Sequence, residues 1–100
     1  MTVKINSEGP RTRVVLEGRL DTTNAARFQS DIAPLMEGDS PDIVIDCTDM
    51  EYTSSQGLRM LLLLQKSVSA RKGTLVMTNM KPQVKEVFDI TGFSNIIRIL

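Results

Sequence analysis

One hundred residues, 41% hydrophobic and 24% charged, are enough for a single domain with one modest core, spanning 1–100, and exclude a disordered chain. Twelve basic residues balance twelve acidic ones and lie scattered, so the charge gives no footprint for nucleic acid. The single cysteine cannot close an internal disulfide, which fits a reducing, cytoplasmic setting; no signal-peptide run opens the chain, and the longest apolar run, 60–64, is too short for direct membrane insertion.

In chain order, residues 3–6 read as a short strand and Ser7-Glu8-Gly9-Pro10 as a turn. Residues 11–17 alternate around Val14 and Leu16 and should pair with the first strand as an antiparallel hairpin, ended by Gly18. Over 22–37, Ala25, Phe28, Ile32, Leu35 and Met36 recur at helical spacing, with Asp21 or Thr22 as the cap. Gly38-Asp39-Ser40-Pro41 breaks that helix. Ile43-Val44-Ile45 is a continuous β-branched run, expected of a central strand buried on both faces, and a short acidic loop should follow it. A second helix over 55–71 leads through Lys72-Gly73 into a strand at 74–78. A third helix, 82–91, opens with Pro82 in its first turn and stops at Gly92, and 96–100 closes the chain as a strand. The order implies an α/β fold: a mixed, mostly parallel sheet with an opening antiparallel hairpin and helices on right-handed crossovers. Functional groups in such sheets gather outside the carboxyl ends of the strands, here the loops 18–23 and 47–55.

The start of the second helix holds the most information. Thr53-Ser54-Ser55-Gln56 is a possible capping box, with Gln56 reaching back to Thr53; with Ser54 as the cap, Ser55 becomes the first helical residue. Either arrangement sets the Ser55 side chain near free backbone N–H groups, where an attached phosphate is electrostatically favoured. Arg59 follows one helical turn later on the same face and could partly neutralise it. Solvation of Arg59 and simple capping by Thr53 and Ser54 are the plainer readings. Farther along, Leu58, Leu61, Leu62 and Val68 form one apolar stripe, which Met60, Leu63 and Leu64 widen. That surplus means either a deeply buried helix or an exposed patch, edged by Met60 and Leu64, that meets a partner.

Catalysis finds little support. With no histidine, Ser-His and Cys-His pairs cannot form. Cys47 follows a buried strand without a cationic neighbour and reads as an inert thiol. Asp46, Asp49 and Glu51 match no calcium-loop spacing, and Gly57 stands alone rather than in a phosphate-binding loop. No cofactor and no metal are expected, and the chain does not read as an enzyme.

Three segments resemble the STAS domain, most closely the bacterial anti-sigma factor antagonists. Gly18-Arg19-Leu20-Asp21 is similar to the family's Gly-Glu-Leu-Asp before the first helix. Residues 46–58 are similar to the strand and signature loop that usually end in Asp-Ser-Ser-Gly-Leu or Asp-Ser-Thr-Gly-Leu. Val87-Phe88-Asp89-Ile90-Thr91-Gly92-Phe93, followed by Ile96-Ile97-Arg98-Ile99, resembles the C-terminal helix and strand. The resemblance implies a partner switch. An unphosphorylated antagonist binds an anti-sigma factor that is also a serine kinase and so releases a sigma factor; phosphorylation ends the complex, and a serine phosphatase resets it. Aligning Gly57-Leu58 places the phosphoacceptor at Ser55. The implied contact surface comprises Asp21, Thr53, Ser54, Gln56, Gly57, Arg59 and Met60. Ser54 stands where the family has aspartate, Gln56 where it has a second hydroxyl, Arg59 where glycine is common, and Arg19 where it is acidic. The alternative implied function is an unphosphorylated accessory subunit of a membrane lipid transporter.

Overall fold

The computed structural model describes residues 1–100. Strands β1 (Thr2–Glu8) and β2 (Arg11–Leu20) form the antiparallel hairpin around Gly9-Pro10, with Glu8 opposite Arg11. Helix α1 (Ala25–Ile32) leads to β3 (Asp42–Thr53), α2 (Ser55–Ala70) to β4 (Thr74–Thr78), and α3 (Pro82–Ile90) to β5 (Arg98–Ile99). All later pairings are parallel, so the expected mixed sheet is present, in the order β1-β2-β3-β4-β5.

That order dictates where the helices go. Each crossover moves one strand along in the same direction, and right-handed crossovers then place every helix on the same face. The burial pattern agrees. Val14, Leu16, Ile43, Ile45, Leu75 and Met77 are buried under the helices, whereas Arg13, Val15, Val44, Asp46 and Val76 between them are only half-buried. The expectation of a third strand buried on both faces is therefore corrected: Val44 points to an uncovered face. Ion pairs cross that face, Arg11 to Asp42 (3.5 Å), Arg13 to Asp46 (2.6 Å) and Lys4 to Glu17 (3.1 Å). β-Branched runs arise on any well-packed strand, which is why Ile43-Val44-Ile45 misled.

Several boundaries differ from the sequence reading. Gly18 does not end β2; the strand continues to Leu20 through register shifts on either side of Glu17-Gly18, and Gly18 takes a φ of +97° that side chains disfavour. The acidic loop after Ile45 does not exist either. Residues 46–53 remain in β3, with Cys47, Met50 and Thr53 buried at three-residue steps after the alternation at Ile43, Ile45 and Cys47. The register shift against β2 produces that change of step and leaves Asp49 and Glu51 exposed on a strand, while Asp46, just before the shift, lies half-buried on the uncovered face. The first helix is shorter than 22–37: Pro34 lacks an N–H, so α1 ends at Ile32 and a 3-10 turn, Ala33–Met36, completes it. Likewise β5 keeps two residues, because Phe93–Asn95 curls into a 3-10 turn.

Arg71, just beyond α2, ties the α1 side to the α2 side. Its guanidinium donates to the carbonyls of Leu35 (2.7 Å), Glu37 (2.6 Å) and Gly38 (3.2 Å), which end the 3-10 turn. Its own carbonyl accepts from Ser40 N–H at 2.9 Å.

Candidate functional site

The site is built where β2 and β3 end side by side. Leu20 pairs with Thr53, and Ser54 N–H donates to the Leu20 carbonyl at 2.8 Å, so the loop after β2 and the start of α2 adjoin. Ser54 is the helix cap: its backbone is extended, its Oγ accepts from Gly57 N–H at 3.2 Å and its carbonyl accepts from Leu58 N–H at 3.0 Å. Ser55 is thereby the first helical residue, and the capping box through Thr53 and Gln56 is not formed.

The three adjacent hydroxyls thus have different fates. Thr53 is 2% exposed and its Oγ1 donates to the Ser54 carbonyl at 3.2 Å. Ser54 is 9% exposed and committed to the cap. Only Ser55 is open to solvent. Gly57 explains how the helix start comes so close to the strands. A Cβ there would lie 2.6 Å from both Leu20 Cγ and Thr53 Oγ1, inside any tolerable contact, so the backbone of α2 packs directly on buried side chains.

Asp21 opens the neighbouring loop but does not cap α1. Its Oδ1 accepts from Thr23 N–H (3.0 Å) and Thr23 Oγ1 (2.5 Å), forming an Asx turn. The Thr23 hydroxyl, followed by the Thr23 and Asn24 backbone N–H groups, holds the Asp21 carboxyl below the usual carboxylate range, so it is ionised at neutral pH. Asn24 precedes α1 and braces the loop from the other side: its Oδ1 accepts from Asp21 N–H (3.0 Å) and its Nδ2 donates to the Arg19 carbonyl (2.8 Å). The negative charge of Asp21 is fixed in place by this small network.

Of the surface residues foreseen, Ser55, Gln56 and Arg59 present their side chains to solvent, and Asp21 and Met60 are half-buried. Thr53, Ser54 and Gly57 are buried, so what they can give the surface is its shape. The patch edged by Met60 and Leu64 is corrected: Leu64 is fully buried, and the exposed apolar residue of α2 is Leu63. A period of 3.6 admits either face for such a dense leucine run, and the docking of Gly57 and Leu58 fixes the phase.

Two neighbours were not legible in the sequence. The Arg19 guanidinium stacks over the Tyr52 ring, 4.3 Å from its centroid, on the opposite side of the strands from α2. Lys81, preceding α3, donates to Glu51 at 2.6 Å. Both depend on strand register, which no local motif encodes. The Cys47 thiol is fully buried, and burial pushes it up to about 12, leaving it a packed apolar group rather than a nucleophile.

Comparison with known proteins gives consistent results. Residues 4–100 match the family model of the STAS domain. BtrV of Bordetella bronchiseptica, a candidate anti-sigma factor antagonist, is 34% identical over 84 residues, covering 84% of this chain and 72% of its own length. The anti-sigma-B factor antagonist of Bacillus subtilis is 31% identical over 87 residues, covering 87% and 79%. Among solved structures, the anti-sigma factor antagonist SpoIIAA in its unphosphorylated form superposes with a TM-score of 0.80 at 18% identity, covering 99% of this chain and 88% of that one. The Bacillus protein SpoIIAA in its phosphorylated form gives 0.74 at 17% identity, covering 99% and 91%. These two show the shared fold.

Proposed function

The chain belongs to the STAS domain family, and on that premise we propose that it is an anti-sigma factor antagonist switched at Ser55. It binds an anti-sigma factor that doubles as a serine kinase, and a sigma factor is released. Transfer of a phosphoryl group to Ser55 Oγ ends the complex, and a serine phosphatase removes the phosphate. The protein itself acts as a binding module in the cytoplasm and contributes no catalytic group. No helix is long and apolar enough to cross a membrane.

One observation carries the choice of residue. In Thr53-Ser54-Ser55 the first two hydroxyls are buried and engaged, and Ser55 alone is offered to an incoming enzyme. At the first helical position a phosphate meets the positive end of α2, so modification adds charge and bulk to the surface without requiring the helix to melt.

The test is affinity purification from the native host with intact-mass measurement of the wild type and of Ser55→Ala. A kinase-like anti-sigma factor should co-purify, with one phosphate on the wild type and none on the variant. Ser55→Asp should weaken that complex about tenfold or more through charge at the interface. An unphosphorylated protein recovered with a transporter ATPase or permease would replace this reading with the accessory-subunit one.

A further inference from the structure

We propose that Arg59 is the intramolecular counter-ion of a phosphate on Ser55, so that modification withdraws a cation from the contact surface as well as adding an anion. The proposal rests on the Ser55 reading and extends it to a residue outside the helix cap. Arg59 is exposed and takes part in none of the ion pairs of the structure. Arg19, near the end of β2, is stacked on Tyr52 on the other side of the strands from α2.

The direction of the side chain follows from helix geometry. Residues four apart on α2 share a face, and each Cα–Cβ bond tilts toward the N-terminus. A long side chain at position 59 therefore lies back over the preceding turn, where Ser55 stands. An anion N-terminal to a cation at this spacing is the favoured orientation. The backbone contributes too, because Ser54 serves the N–H of Gly57 and leaves those of Ser55 and Gln56 without an intrahelical acceptor.

A counter-ion is needed because Asp21 lies on the adjoining loop and stays ionised. With Ser54 at the cap, the first turn carries no carboxylate of its own. A dianion on Ser55 then has one fixed negative group on the adjoining loop, beyond the Leu20–Ser54 bond, and one unpaired guanidinium on its own helix. Unmodified, Arg59 is free to meet an acidic group of a partner; modified, it turns inward to the phosphate.

The experiment installs phosphoserine at position 55 during translation, so that no kinase is needed, and follows the phosphorus resonance through its second ionisation. In the wild type that ionisation should fall about half a pH unit below its value in Arg59→Gln, the effect of one charge about 5 Å away in water. Arg59→Lys should keep most of the shift, and about 1 M salt should abolish it. Equal ionisation in the wild type and Arg59→Gln would overturn the proposal. The Ser55 reading is judged separately, by whether phosphoserine at 55 abolishes anti-sigma factor binding, so either can fail alone.

Discussion

Neighbouring serines with the same chemistry perform separate tasks because of one backbone step. Ser54 has an extended backbone and turns its hydroxyl into the helix; Ser55 has entered the helix and turns its hydroxyl out. Removing the first should therefore cost stability and removing the second should not. Ser54→Ala is expected to lower the unfolding free energy by about 1 kcal/mol, the usual value of a lost cap. Ser55→Ala should stay within about 0.5 kcal/mol, as at other exposed positions. Urea denaturation of both variants decides this, and a large loss in Ser55→Ala would mean that its hydroxyl is structurally engaged. A serine at the cap can do what aspartate does for Gly57 N–H, without placing a charge beside Ser55.

Among the secondary elements, the junction between the two longest crossovers depends on one side chain. The Arg71 fork reaches carbonyls that end the 3-10 turn after α1, groups that no helical N–H can serve. Arg71→Ala should destabilise the fold by about 2 kcal/mol, and Arg71→Lys should recover little, because a single ammonium cannot reach the Leu35, Glu37 and Gly38 carbonyls together, nor the Ser67 carbonyl that the Arg71 Nε–H serves at 3.1 Å. Thermal or urea unfolding of the two variants measures it; full rescue by lysine would show that charge alone matters. Elements of this kind mark what could be read from sequence. Helical periodicity in Ala25, Phe28 and Ile32, the proline start of α3 and the Gly9-Pro10 turn are local signals, and they located the hairpin and two of the three helices. The extension of β3 to Thr53 was not readable, since Asp46-Cys47-Thr48-Asp49 has loop composition and is held extended by pairing with β2 and, at Asp46, with β4 as well. The hydroxyl-rich start of α2 was visible as a site, whereas the choice between its two capping schemes required the position of Leu20.

At the scale of the whole molecule, a sheet covered on one face must keep the other soluble, and it does so with ion pairs laid across β1, β2 and β3 beside Val15 and Val44. Asp46 is central to that face. The Thr48 hydroxyl first, then the Thr48 N–H, the Asn79 amide and the Arg13 guanidinium, hold its carboxyl below the unfolded value of 3.8. Its contribution is thus present above that value and lost as pH falls through the folded one, because the unfolded chain takes up the proton first. Asp21 and Asp89 are lowered in the same direction. Stability should be level above about pH 5 and decline below it. Asp46→Asn should be less stable at neutral pH yet fall less steeply in acid, as read from urea midpoints across the range; an unchanged slope would exclude Asp46 as a principal cause. The order of the strands has one more consequence, for synthesis. Because β1 to β5 lie in the sheet in the sequence in which they are made, each new strand can add to the outer edge of what already exists. No strand must be threaded between two that have already joined, so the fold can grow vectorially as the chain leaves the ribosome.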